Sequence, residues 1–174
     1  MKRRRWFSIA VQVEAQKLTA SRVVLAATAL IVCGITVLSG SLAWAADTGN
    51  EQVIAQLGEV AEHAGWQRLI GIAIQITSAA GLLGFGTIAA WTVGREFTDG
   101  TINALFALPV SRAHIARAKL TVVAAWAMIV ALCMPLALAV PATLLGYGLP
   151  DSEAVDGLVR LIALGVLSAL PASA

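Results

Sequence analysis

Four stretches of this chain contain no Asp, Glu, Lys, Arg or His, and they constrain everything else about it. They cover residues 23–46, 69–94, 120–150 and 161–174, which is 24, 26, 31 and 14 residues. A helix crossing about 30 Å of hydrocarbon needs roughly 20 apolar residues. Three stretches meet that length, and the fourth reads as a span cut short at residue 174. Lipid offers no partner to an unpaired backbone group, and the runs lack the alternation of barrel strands, so helices are the expected form. Composition agrees: 59% of the 174 residues are apolar and 13% charged, about half the charge of an ordinary soluble domain. The mean hydropathy is +0.83. A soluble domain of this length could not bury that much apolar surface, so a soluble globular protein, a disordered chain and a nucleic-acid binder are all excluded. The expected fold class is an all-α integral membrane protein with four transmembrane helices, the last incomplete. Residues 1–22 form a cytoplasmic interfacial helix ahead of a transmembrane domain over residues 23–174.

The bases set the expected orientation. Lys2, Arg3, Arg4, Arg5, Lys17 and Arg22 precede the first span, and Arg95, Arg112, Arg117 and Lys119 lie between the second and third. The opposite side has only Arg68 and Arg160, with Asp47, Glu51, Glu59, Glu62, Asp151, Glu153 and Asp156. Positively charged flanks stay in the cytoplasm, so the amino terminus and the second connection are expected there. Trp44, Trp66 and Tyr147 then fall near the outer interface, and Trp6, Trp91 and Trp126 near the inner one, as in aromatic belts. The second span is longer than a bilayer requires, which predicts tilt or a short extension beyond the membrane. Pro135 and Pro141 each remove one helical hydrogen bond, so the third span is expected to kink without breaking.

Residues 6–19 read as an interfacial helix. Ser8, Gln12, Gln16 and Thr19 share one side of it and Phe7, Val11 and Leu18 another, while Glu14 and Lys17 blur the pattern. With Lys2 to Arg5 it suits the inner leaflet. A cleavable signal peptide is the rival reading of the amino terminus, because Ala43-Trp44-Ala45 resembles a cleavage site and Arg4-Arg5 a twin-arginine start. Against it stand the length of the apolar run, the 22 residues ahead of it, and the loss of the orienting signal on removal.

The chain has no G-x-x-x-x-G-K-[ST], no G-x-S-x-G and no H-E-x-x-H, so no active site is visible. His63 and His114 lie on opposite sides in this topology. Cys33 and Cys133 sit in different spans and read as small buried apolar residues. Gln75, Thr77 and Ser78 mark the second span, suited to hydrogen bonds between helices or to lining a substrate route, and Thr77/Gly81, Ala80/Gly84 and Gly86/Ala90 are small pairs that permit close helix approach.

The connection from Gly94 to Leu120 holds the most information. Thr98-Asp99-Gly100 reads as a turn. Residues 101–108 read as a short helix with Ile102, Leu105 and Phe106 on one face, stopped by Pro109, after which Ser111 can cap the next helix. Glu96…Asp99-Gly100-Thr101…Leu105…Leu108-Pro109-Val110-Ser111-Arg112…Ala118-Lys119 resembles the E-x-x-x-G-T…L-x-x-x-P-V-S-R…A-K signature of type 2 ATP-binding-cassette (ABC) transporter permeases. Glu14-Ala-x-Lys17-Leu18 before the first span is similar to theirs too. The resemblance covers essentially the whole chain. It implies a coupling helix over residues 96–112 that contacts the nucleotide-binding subunit, with Glu96, Gly100, Thr101, Leu105, Phe106, Pro109, Ser111 and Arg112 as contact residues. It further implies a plasma-membrane exporter of two permease subunits and two ATPase subunits. ATP and Mg would be held by the ATPase partner, with no cofactor in this chain. Family domains have six spans, so this chain corresponds to the amino-terminal part of one. The alternative is a non-transporting membrane anchor or regulator that recruits a soluble partner through the same loop.

Overall fold

The computed structural model describes residues 2–98 and 112–169. Those residues form six α-helices and one 3-10 turn, without a strand. Helix α1 (Lys2–Thr19) ends in a short turn, where Ser21 accepts a hydrogen bond from Val24 N at 3.3 Å and caps α2 (Arg22–Asp47). Gly49, at φ 81°, closes α2 in a Schellman motif, with Asn50 N donating to Ala45 O and Gly49 N to Ala46 O; the left-handed residue there favours glycine. Asn50 then caps the short α3 (Glu51–Leu57), which runs on into the 3-10 turn Gly58–Glu62.

Helix α4 (Gly65–Thr98) contains 34 residues and so reaches about 51 Å at 1.5 Å per residue. The helix thus extends four residues beyond the second uncharged stretch at each end. Helix α5 (Arg112–Leu144) is continuous through Pro135 and Pro141, as expected. It stops at a second Schellman closure on Gly146 (φ 75°), with Tyr147 N bonded to Ala142 O. The last six residues of the third uncharged stretch are thus a turn. Helix α6 (Ser152–Ala169) is capped by Asp151, whose carboxylate accepts from Ala154 N at 2.7 Å. It starts nine residues before the fourth uncharged stretch and carries Glu153, Asp156 and Arg160 in its first turns, a correction to the span boundary expected from charge alone. A capping carboxylate and an acidic first turn favour a helix start there despite the polar residues.

Helices α2, α4, α5 and α6 alternate in direction and pack on one another. One apolar cluster, around Ala43, Leu69, Ile72, Leu138 and Leu161, lies toward the end where α2 finishes. The other joins Leu18 of α1 to Val24, Ile88, Val122, Val123 and Trp126 at the opposite end. The outside of the bundle is as apolar as the inside. Leu25, Leu30, Leu83, Leu136 and Leu144 are each at least 70% exposed, an arrangement that water would penalise and lipid welcomes. Helix α2 and residues Arg117–Leu144 of α5 are long and apolar enough to cross a membrane, at mean hydropathies of 2.3 and 2.4. Only 22% and 44% of their apolar windows are buried, unlike the core helices of a soluble protein. Cys33 and Cys133 are on this outer surface, correcting the expectation that they are buried.

Gly40 marks the tightest contact between α2 and α5: a Cβ there would meet Pro141 Cβ at 2.7 Å. The proline ring cannot swing aside. Gly40→Ala is therefore expected to destabilise the bundle by about 1–3 kcal/mol through overpacking, read as a lower midpoint in detergent unfolding, while Gly34→Ala, with nothing within 4 Å of its Cβ position, leaves the midpoint in place.

Candidate functional site

The antiparallel bundle gathers its polar residues at two ends. At the end where α2 finishes, Asp47 accepts from the Arg68 guanidinium of α4 and from the Tyr147 hydroxyl beyond α5. Arg68 also donates to Ala61 O at 3.1 Å. Trp66 Nε1 donates to Gly148 O at 3.0 Å, and Gln67 donates to Glu153 of α6. Burial and the Asp47 carboxylate push the Tyr147 phenol up from its ordinary value. These contacts confirm that Asp47, Arg68, Tyr147 and Glu153 share one end. Trp66 is 8% exposed and ties the start of α4 to the loop after α5, whereas Trp44, 59% exposed, stands outward as a belt residue would.

The opposite, basic end holds the candidate site. Glu96 lies in the last turn of α4 and Arg112 is the first residue of α5. Gly100, Thr101, Leu105, Phe106, Pro109 and Ser111, with the short helix expected over 101–108, fall outside the described residues. The elements on either side of that segment are placed: Ile88 and Trp91 of α4 pack with Val122, Val123 and Trp126 of α5. The connection therefore leaves and re-enters the bundle at the same end, beside α1. Trp126 is 7% exposed and its Nε1 donates to Thr28 Oγ1 of α2 at 2.9 Å, so it bridges two helices within the cluster at this end.

Glu14 is the residue that sequence reasoning misjudged. Glu14 and Lys17 blur the polar face of α1 when the helix is considered alone. In the bundle, Glu14 is 8% exposed and so is Lys119 of α5, and Lys119 Nζ donates to Glu14 Oε2 at 2.9 Å. Lys17 Nζ donates to the other carboxylate oxygen, Oε1, at 3.0 Å. Burial alone would raise the Glu14 pKa, but the hydrogen bonds and charges of the two lysines outweigh it and hold the carboxyl below its ordinary value. Leu18, with Val11 and Ala15 beside it, packs α1 onto the apolar cluster that includes Val122 and Val123. The two stretches that carry the family resemblance, Glu14-Ala-x-Lys17 and Ala118-Lys119, thus meet in space. That shared membership was the one signal in the sequence that could have paired them.

Between the ends, a cavity of about 310 Å³ opens among α2, α4, α5 and α6. Small residues make the space, among them Gly34, Ala80, Gly84, Ala131 and Gly165. Thr77 also lines it, and its hydroxyl is buried without a hydrogen-bond partner among the described residues. Thr28, Thr87, Thr121 and Thr143 instead bond to carbonyls of their own helices. Of the polar residues marked in the second span, Thr77 therefore faces this cavity and makes no bond between helices among the described residues, while Gln75 and Ser78 are exposed. No group of three or more His, Cys, Asp or Glu among the described residues is placed to hold a metal.

A bundle apolar on both its inner and outer faces, with its charged contacts at its ends among the described residues, defines a helical membrane protein. Residues 10–174 match the family described as ABC-2 family transporter protein, and the chain belongs to that family, a component of membrane transport. No curated protein and no solved structure matches it.

Proposed function

We propose that this chain is the permease subunit of an ABC exporter in the plasma membrane. The match to the ABC-2 family over residues 10–174 carries this reading. In it, α2, α4, α5 and α6 are four spans, the amino terminus is cytoplasmic, and a second permease subunit completes the pathway. ATP and Mg belong to a separate ATPase subunit, which does the hydrolysis. The segment 96–112 is the coupling helix, and Glu96, Gly100, Thr101, Leu105, Phe106, Pro109, Ser111 and Arg112 form its contact with that ATPase. The bases beside it, Arg95, Arg112, Arg117 and Lys119, favour the cytoplasmic side.

Transport follows from a difference in binding. ATP draws the two ATPase subunits together, and the coupling helices ride on them. A partner shifts an equilibrium only by its differential affinity for the two states, so the coupling helix is held differently in the inward- and outward-facing forms. The bundle supports such a change because most of its buried interhelical contacts are apolar and its ion pairs among the described residues lie at the ends.

The orientation is tested by thiol labelling. In a background with Cys33 and Cys133 replaced by alanine, Arg112→Cys is expected to react with a membrane-impermeant maleimide only after the membrane is opened. Labelling in intact cells would place the segment outside, beyond the reach of an ATPase, and end this reading.

A further inference from the structure

Helix α1 is joined to α2 in sequence by only the Ala20-Ser21 turn, yet it is seated chiefly on α5. Two contacts among those that attach it to the bundle are the apolar patch around Leu18 and the Glu14 carboxylate, which bonds Lys119 at 2.9 Å with both residues 8% exposed. Lys119 lies seven residues after Arg112, the first residue of α5, or about 10 Å along a continuous helix. A helix of that length with its hydrogen bonds intact moves as a unit. A displacement that reaches Arg112 would therefore be passed along the helix to Lys119, and through it to Glu14.

We infer that Glu14 is a positioning residue that clamps α1 to α5, so that the amino-terminal helix is carried along whenever the connection between α4 and α5 is pushed. This rests on the coupling role proposed above for that connection. Charge is suited to the task because an apolar contact alone lets two helices slide, whereas a hydrogen-bonded ion pair fixes register as well as proximity. Lys17, on the same helix as Glu14, holds the other carboxylate oxygen and sets the carboxylate's orientation.

Two paired-label measurements test this, with the full chain and its co-purified ATPase in liposomes and both native cysteines replaced by alanine. Gln12, Thr87 and Thr121 are exposed positions on α1, α4 and α5 and take spin labels as cysteines. Without nucleotide, the Gln12→Cys/Thr121→Cys pair is expected to give one narrow distance distribution. Glu14→Gln should broaden it, and the charge exchange Glu14→Lys with Lys119→Glu should narrow it again. A distribution that stays narrow in Glu14→Gln overturns the clamp. With ATP and vanadate, the Thr87→Cys/Thr121→Cys and Gln12→Cys/Thr87→Cys pairs should both shift. In Glu14→Gln the second shift should be lost while the first persists. If the first pair shifts in the otherwise unmodified chain and the second does not, α1 is not carried along and the inference fails. If neither shifts although the nucleotide-free results hold, the transporter reading fails, and carriage of α1 by the connection fails with it.

Discussion

Changing Leu105 and Phe106 together to aspartate is expected to abolish association with the ATPase while leaving the chain inserted in the membrane. Both residues belong to one apolar face of the short helix expected between Gly100 and Pro109. Burying a Leu or Phe in a partner's groove contributes about 1.5–3 kcal/mol each. Losing both, before any penalty for burying the new carboxylates, weakens binding on the order of 10²- to 10⁴-fold. The measurement is co-purification of the ATPase with the solubilised permease, and quantitative recovery with the double variant would remove the docking role. Phe106→Leu keeps an apolar anchor and should retain most of the association. Recovery of the double variant from the membrane fraction at the level of the unmodified chain separates lost docking from misfolding.

Glu14→Gln is expected to reduce stability by about 2 kcal/mol, below the 3–5 kcal/mol of a fully buried pair, because Lys17 reaches the same carboxylate from a half-exposed position. The loss arises mainly from leaving Lys119 buried without this carboxylate. It follows that Glu14→Leu combined with Lys119→Met, which removes both charges, should come within about 1 kcal/mol of the unmodified protein. The pH dependence has a definite sign. The pKa of Glu14 is lowered by folding, so its contribution is complete above the ordinary glutamate value of about 4.3. It fades as pH falls through the lower, folded value. The difference in unfolding midpoint between the unmodified chain and Glu14→Gln should therefore be constant from neutral pH to about pH 5 and shrink in stronger acid. A difference that grew on acidification would mean that the carboxylate is destabilising where it sits.

The three long helices α2, α4 and α5 and their order were legible because each follows from a local property, the absence of charge over a membrane-length stretch, whereas the short α3 lies in a polar connection and carries no such signal. Boundaries were legible only where a charge or a cap coincided with them. The third stretch overran its helix by six residues, since Leu145, Tyr147 and Leu149 are apolar, and the fourth stretch missed the first nine residues of α6, since that helix begins in polar sequence. Of the predicted contact residues, Glu96 and Arg112 fall at the helix ends that bracket the connection. The partners of Trp66, Trp126 and Glu14 were out of reach. Each bonds a residue more than 80 positions away, and no local pattern encodes which faces of two distant helices meet.

The sequence by itself determined that this chain is an apolar helical bundle with its bases at one end and most of its acids at the other, because exclusion of charge from hydrocarbon acts on each segment separately. Tertiary structure decided the rotation of each helix, and with it the Glu14–Lys119 pair, the Asp47 contacts with Arg68 and Tyr147, and the close approach of Gly40 to Pro141. In water, an amphipathic stripe would announce which face turns inward. In lipid both faces are apolar, so small steric fits and a few polar contacts at the ends choose the rotation, and those choices exist only once the helices are packed together.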